Sequence, residues 1–295
     1  MTNRAERRRL EKQAKKTAKL RSGADSPEAI ERSHLIYNEA LALQKQGKLT
    51  QAITRYKDAI KLNTKFAEAN TNLGNLYEAQ GKWQDAEAAY RRALQVYPEN
   101  VMLLSNLGNV LRRLDRLDEA TEVLQQALTL QPNSIQALNN LGNVLLAQEK
   151  PAEAVVCFTR AVEANPVLLE SQINLGAALE AAENYAEAIS VLEQARKLHP
   201  DSAVIYFNLG HVLNYLGKTD ESIAMYEQAL ALKSDYVQAS FNLASLWRKR
   251  GMNEVAAEIY RRLLVDNPKL VEAYLELVNL LEKNGDTEAG LVTLK

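Results

Sequence analysis

The chain has 295 residues, a net charge of −1 and a composition rich in good helix formers. Cys157 is the only cysteine, which excludes a disulfide framework, and no apolar run approaches the ~20 residues of a membrane span. The first residues lead into charge without an apolar stretch, so no secretory signal is predicted and we expect a cytoplasmic protein.

Residues 1–26 are predicted to form a basic, flexible N-terminal arm. Residues 1–22 hold nine Lys and Arg against Glu6 and Glu11, which gives this segment a charge of +7. Its few apolar residues form no stripe that could dock on a core. The alternative is an electrostatic tether to nucleic acid or an anionic membrane surface. Because no aromatic residue is interleaved for base stacking, specific nucleic-acid binding is not expected. A helix is predicted to start at Ser26-Pro27.

The rest of the chain, 27–295, is organised by a motif with a fixed period. Asn-Leu-Gly-Asn occurs at 72–75, 106–109 and 140–143, and looser copies start at Asn174, Asn208 and Asn242. Each copy starts 34 residues after the last, and such a period is typical of a stacked-repeat solenoid. With the motif glycine as position eight, the repeats are 33–66, 67–100, 101–134, 135–168, 169–202, 203–236, 237–270 and a truncated 271–295.

Each repeat is predicted to be a helix-turn-helix hairpin. Positions eight, twenty and twenty-seven hold small residues in most repeats, which lets two helices cross closely, and position twenty-four holds an aromatic residue or Leu. Glycines at position fifteen would adopt the left-handed conformation that ends the first helix, at Gly47, Gly81, Gly217, Gly251 and Gly285. Prolines at position thirty-two would end the second helix, at Pro98, Pro132, Pro166, Pro200 and Pro268.

These positions resemble the signature of the tetratricopeptide repeat family, and the resemblance covers about 260 of the 295 residues. It implies an all-α fold, an α-solenoid of 34-residue helix-turn-helix repeats that forms a right-handed superhelix. The first helix of each hairpin would line the concave side. The expected architecture is seven full repeats and one truncated repeat.

A row of asparagines runs along the first helices beside the packed face. We call the position-six residues the asparagine ladder: Asn38, Asn72, Asn106, Asn140, Asn174, Asn208 and Asn242. Position nine adds Asn75, Asn109 and Asn143. Because an amide carries both a donor and an acceptor, these side chains could pair with the N–H and C=O of an extended peptide in the concave groove. The alternative is that each Asn bonds to the adjacent repeat and fixes the stacking.

The ladder also resembles that of the repeat domain of O-linked N-acetylglucosamine transferase, which implies a peptide-binding role for Asn72, Asn106, Asn140, Asn174, Asn208 and Asn242. In the C-terminal half, Phe207 and Phe241 at position five could anchor side chains of the ligand. Alternatively, they pack neighbouring repeats.

No catalytic, cofactor or metal site is predicted. The histidines are far apart in register, and Cys157 is interpreted as a packed small hydrophobe. The sequence therefore predicts a non-enzymatic scaffold that binds a protein or peptide in its groove. One alternative is the substrate-recognition region of a larger or partnered glycosyltransferase or sulfotransferase. Another is end-to-end self-association through the C-terminal repeat, which lacks a polar capping helix.

Overall fold

The computed structural model describes residues 24–283 and contains fifteen α-helices in that part of the chain, without a strand. They are α1 Pro27–Lys45, α2 Leu49–Leu62, α3 Ala67–Ala79, α4 Trp83–Val96, α5 Val101–Arg113, α6 Leu117–Leu130, α7 Ile135–Ala147, α8 Pro151–Ala164, α9 Leu169–Ala181, α10 Tyr185–Leu198, α11 Ala203–Tyr215, α12 Thr219–Leu232, α13 Val237–Lys249, α14 Asn253–Asp266 and α15 Val271–Lys283. The predicted helix-turn-helix solenoid is confirmed. Among the described helices, none is long and apolar enough to cross a membrane.

The chain divides into two compact units, of which the first ends at Glu149 and the second begins at Lys150. In unit 1, helices α1 to α7 pack consecutively, so that each hairpin rests on the next. In unit 2, helices α8 to α15 repeat the same pattern. The predictions for residues 1–23 of the arm, and for Gly285 and the second helix of the last repeat, lie outside the described residues.

The first helix of every described hairpin ends with a residue in the left-handed region at position fifteen. Glycine holds it in four repeats, as predicted, with φ values from 69° to 78°. Asp115, Glu149 and Glu183 hold it in the other three, with φ values of 60°, 59° and 58°. The turn is closed by backbone hydrogen bonds, such as Lys48 N to Leu43 O at 2.9 Å. The turn geometry therefore persists even where an acidic residue must adopt a conformation that favours glycine.

The glycines at position eight make room for the side chain at position twenty-four of the same hairpin. A Cβ added to Gly74 would lie 2.6 Å from Tyr90 Cε1, and one added to Gly210 would lie 2.9 Å from Tyr226 Cδ1. The position-twenty-four side chains are fully buried and form the largest groups of the core. The position-twenty residues are buried as well, at Ala52, Ala86, Ala120, Ala154, Ala188, Ser222 and Ala256.

Local signals at the helix ends agree with the sequence. The Ser26 hydroxyl caps α1 by accepting a 3.1 Å hydrogen bond from Ala29 N, and Pro27 is the first helical residue. Asn100 caps α5 in the same way. The position-thirty-two prolines follow the ends of the second helices within a few residues. These ends fix the length of each hairpin and therefore the 34-residue register.

Candidate functional site

The asparagine ladder lies on the first helices of successive hairpins. Each Asn precedes a buried position-seven Leu in the described repeats from the second to the seventh, so the backbone beneath it is held by the core. Asn38 is exposed, and the other six ladder residues are half-buried. The ladder amides therefore sit at the edge of the packed face, where they have access both to protein partners and to solvent.

In unit 1, the side-chain amides of Asn72, Asn106 and Asn140 donate hydrogen bonds to the preceding repeat. Asn72 Nδ2 donates to Tyr37 Oη at 3.0 Å and to Tyr56 Oη at 3.4 Å. Asn140 Nδ2 donates to the backbone oxygen of Ser105 at 2.9 Å. The Oδ1 atoms of Asn72 and Asn140 accept no hydrogen bond within residues 24–283, and neither is a buried unpaired atom. The donor of each amide thus faces the protein while its acceptor stays accessible.

A continuous hydrogen-bond network occupies the middle of unit 1. Asn106 Nδ2 donates to Asn75 Oδ1 at 3.4 Å, and Asn106 Oδ1 accepts from Gln136 Nε2 at 2.6 Å. Tyr90 Oη lies 2.6 Å from Asn75 Oδ1 and 2.9 Å from Glu78 Oε2, so these two acceptors share its single hydroxyl hydrogen. Burial raises the pKa of Tyr90 above its usual value, so the phenol stays a neutral donor.

The same network includes the position-nine residue of the next repeat. Asn109 Nδ2 donates to Glu78 Oε1 at 2.6 Å, and Asn109 Oδ1 accepts from Arg112 at 3.2 Å. Position nine of the fourth repeat differs, because the Asn143 side chain makes no hydrogen bond within the described residues. Hence the predicted position-nine asparagines divide into two that are engaged in the network and one that is free.

In unit 2, the ladder has fewer internal partners. Asn242 Nδ2 donates to Tyr226 Oη at 3.2 Å. Asn174 Nδ2 is buried without a partner, and the Asn208 side chain makes no hydrogen bond in the described part of the chain. Burial raises the pKa of Tyr226 to about 12, so its hydroxyl also stays protonated at neutral pH.

Phe207 and Phe241 are half-buried and pack against rings of neighbouring helices. The Phe207 ring lies 5.0 Å from that of Tyr236 and 5.8 Å from that of Tyr226, measured between centroids. Phe241 meets Tyr260 edge-on at 5.6 Å. These ring contacts lie within a single repeat, 203–236 for Phe207 and 237–270 for Phe241. A contact with a ligand would use the part of each ring that stays exposed.

An ion pair beside these rings was not predicted from the sequence. His211 Nδ1 lies 2.7 Å from Glu180 Oε1, and this hydrogen bond raises the pKa of His211 above its usual value against the opposing effect of burial. The His211 ring also meets Tyr215 edge-on at 5.2 Å. A register signal existed, because Glu78 and Asn109 form the equivalent pair in unit 1 with the same separation of 31 residues.

Cys157 is buried, and burial raises the pKa of its thiol, as expected of a packed side chain. Residues 24–283 contain no group of three or more His, Cys, Asp or Glu placed to hold a metal ion. The basic residues Arg248 and Arg250 are paired with Glu276 and Asp220.

Comparisons with known proteins agree on one family. One family model described as tetratricopeptide repeat matches residues 71–135 and 207–270, and a second model with that description matches 136–200 and 167–235. A third model, described as TPR repeat, matches residues 40–81. No curated protein sequence matches the chain.

Solved structures give the same picture. A tetratricopeptide repeat protein from Parabacteroides merdae is 17% identical, with a TM-score of 0.71 over 85% of this chain and 99% of that one. Pseudomonas aeruginosa pilF is 22% identical, with a TM-score of 0.58 over 70% of this chain and 94% of that one. YrrB, described as a TPR protein with an unusual peptide-binding site, is 25% identical, with a TM-score of 0.50 over 62% of this chain and 95% of that one. Together, the family and the fold favour a scaffold for protein interactions over a catalytic domain.

Proposed function

Because the chain belongs to the tetratricopeptide repeat family, we propose that it is a non-catalytic scaffold whose asparagine ladder binds extended peptide segments. The observation that carries this proposal is the shared orientation of Asn72 and Asn140. Their N–H groups are consumed inside unit 1, and their Oδ1 atoms are accessible and unpaired. The peptide binding described for YrrB adds support.

The orientation of the ladder specifies what a ligand must supply. An amide whose donor is already bonded cannot rotate freely, so its acceptor is fixed in direction before the ligand arrives. Such an acceptor pairs with the backbone N–H of an extended peptide. Packed helices lie about 8–10 Å apart and an extended chain rises ~3.3 Å per residue, so each repeat would meet roughly every third peptide residue.

In unit 2, Phe207 and Phe241 would add contacts with apolar side chains of the ligand. Each ring is half-buried, so it presents an exposed apolar surface next to the ladder residues Asn208 and Asn242. Rings of this kind bury large areas when an apolar side chain packs against them. Unit 1 is proposed to bind the backbone, and unit 2 to bind both backbone and side chains.

The magnitudes predict modest affinity. Each hydrogen bond contributes about 0.5–1.5 kcal/mol net, and ordering a flexible segment costs about 2–5 kcal/mol. Several ladder contacts together with one apolar anchor therefore correspond to binding in roughly the micromolar range. This strength suits a scaffold that exchanges its partners.

An amide-to-ester scan tests the proposal. A peptide is selected against the full chain from a random-peptide phage library, synthesised with a fluorophore and measured by anisotropy. Replacing one ligand amide by an ester removes only the N–H, so we expect losses of about 2- to 10-fold at ligand positions spaced roughly three residues apart. Selection of no peptide, or an ester scan without loss at any position, would contradict the proposal.

A pair of variants in unit 1 supplies the matched control. Asn140→Ala removes a ladder amide, and Gln126→Ala truncates an exposed side chain on α6. We expect the first to weaken binding of the selected peptide and the second to leave it unchanged. Equal effects of the two variants would place the peptide elsewhere on the molecule.

A further inference from the structure

The side chain at position twenty-four of one repeat lies near the ladder asparagine of the next. It is Tyr at Tyr56, Tyr90, Tyr226 and Tyr260, and it is Leu or Phe at Leu124, Phe158 and Leu192. Tyr56 and Tyr226 accept hydrogen bonds from Asn72 and Asn242 through their buried phenols. The core residue at position twenty-four therefore offers the next ladder asparagine a polar partner where it is Tyr. It offers none where it is Leu or Phe.

Tyr90 engages its ladder residue through a shared atom. Asn75 Oδ1 accepts the Tyr90 hydroxyl at 2.6 Å and the Asn106 amide at 3.4 Å. All three ladder asparagines that follow a tyrosine are therefore tied into hydrogen bonds with that tyrosine or with its acceptor.

The three asparagines that follow Leu or Phe have no such hydroxyl. Asn208 makes no hydrogen bond in the described residues, and Asn174 Nδ2 is buried without a partner. Asn140 donates instead to the backbone oxygen of Ser105. In both units, therefore, a ladder amide that follows a tyrosine is bonded to that tyrosine or to its acceptor, and a ladder amide that follows Leu or Phe is not.

Resting on the proposed function, we propose that a tyrosine at position twenty-four keeps the next ladder asparagine from binding the peptide with both amide groups. After Tyr, the amide holds the repeats together and offers only its oxygen. After Leu or Phe no phenol engages the amide, and Asn208, which makes no hydrogen bond in the described residues, offers donor and acceptor to the N–H and C=O of one ligand residue. Asn140 keeps its donor on Ser105, and the Asn174 donor is buried.

The cost of rotating the amide gives the physical reason. Turning Asn242 toward a ligand breaks its bond to the buried Tyr226 hydroxyl, a loss equivalent to about 2- to 10-fold in affinity. Turning Asn208 breaks no hydrogen bond. Identical residues at identical repeat positions therefore differ in what they can give a ligand.

In unit 2 the inference can be tested by introducing a tyrosine at a position twenty-four that now holds Leu. Leu192 packs over Gly176, as Tyr226 packs over Gly210, and an added Cβ would lie 2.8 Å and 2.9 Å from the respective side chains. Since the glycine that accommodates Tyr226 is also present at position 176, Leu192→Tyr should place a phenol beneath Asn208. That hydroxyl would capture the Asn208 amide.

The experiment compares Asn208→Ala, Leu192→Tyr and Asn242→Ala in the full chain, with the selected fluorescent peptide as the probe. For Asn208→Ala we expect peptide binding weaker by about 10-fold and a melting temperature within about 2 °C of the parent. Leu192→Tyr should weaken binding by about 2- to 10-fold without lowering the melting temperature. Asn242→Ala should lower the melting temperature by about 1–4 °C and change binding less than about 3-fold.

The outcomes separate the two proposals. Equal weakening by Asn208→Ala and Asn242→Ala would overturn the role of position twenty-four while leaving the scaffold function in place. No weakening by either variant, or by Asn140→Ala, would overturn the peptide-binding ladder itself. Tyr226→Phe is the converse control, because it frees Asn242 and should give equal or tighter peptide binding with lower stability. Weaker binding by Tyr226→Phe would count against the inference.

Discussion

Units 1 and 2 are built on the same repeat but hold their polar side chains differently. In unit 1, one network joins Tyr90, Asn75, Asn106, Glu78 and Asn109. In unit 2, polar contacts are separate pairs, such as His211 with Glu180, and aromatic rings lie between them. The difference shows that the repeat fixes the position of the ladder, while neighbouring side chains fix what each amide can do.

The largest expected effect comes from filling the position-eight gap. In unit 1, a Cβ on Gly108 would collide with the buried Leu124 side chain, so Gly108→Ala should destabilise by about 1–3 kcal/mol. In unit 2, Gly210→Ala should cost less, because Ala244 already shares a hairpin with Tyr260 in the next repeat. Urea unfolding of both variants provides the measurement. Equal free-energy losses would contradict the assignment of the space to the position-twenty-four side chain.

Two tyrosine-to-phenylalanine variants sharpen the contrast between the networks. Tyr90→Phe removes the hydroxyl that Asn75 and Glu78 share and should lower stability by about 1–2 kcal/mol. Tyr260→Phe should be neutral or stabilising, since the Tyr260 hydroxyl is buried without a partner. Thermal melts monitored by circular dichroism suffice. A costly Tyr260→Phe would mean that a water or another group satisfies this hydroxyl.

Replacing the left-handed acidic residues in the turns should have a smaller effect, and it should stabilise the protein instead of destabilising it. Glu183→Gly relieves a left-handed glutamate in unit 2 and should stabilise by about 0.5–1 kcal/mol. Asp115→Gly in unit 1 should gain less, because Asp tolerates this conformation better than Glu. Gly217→Ala is the reverse control. The φ of Gly217 is 71° and an added Cβ would meet no atom within 4 Å, so the loss of stability would report backbone strain alone. A stabilising Gly217→Ala would refute the explanation.

The smallest effect is a pH dependence confined to unit 2. Glu180 raises the pKa of His211 in the folded state. The pair therefore contributes fully to the free energy of unfolding below the unfolded-state pKa of histidine, about 6.5. It loses this contribution as the pH rises through the folded-state pKa of His211. Because the pair is partly exposed, we expect only a few tenths of a kcal/mol. Chemical denaturation between about pH 5.5 and 8.5 measures it. The slope should flatten in Glu180→Gln, and an unchanged slope would exclude this pair as its source.

The sequence predicts the fold more completely than it predicts the site. The period and the small residues at position eight suffice to predict the hairpins and their register, because seven of the eight repeats contain them. The left-handed turn at Asp115 and Glu183 was not predicted, since neither residue signals that conformation and only the shared hairpin geometry imposes it. The hydrogen bonds of Asn72 and Asn140 to the preceding repeat agree with the alternative interpretation of the ladder, but their partners and the direction of each amide were not predicted. An amide's direction depends on a partner one repeat away, and a row of identical asparagines does not reveal that partner.

The most direct test of the central claim is an NMR titration of the full chain, labelled with ¹⁵N at asparagine side chains, with the selected peptide. If position twenty-four sorts the ladder, the side-chain amide signal of Asn208, whose amide makes no hydrogen bond in the described residues, should shift most on binding. The signals of Asn72, Asn106 and Asn242 should keep their hydrogen-bonded positions. Uniform shifts along the ladder, or shifts limited to the asparagines that follow a tyrosine, would contradict the account.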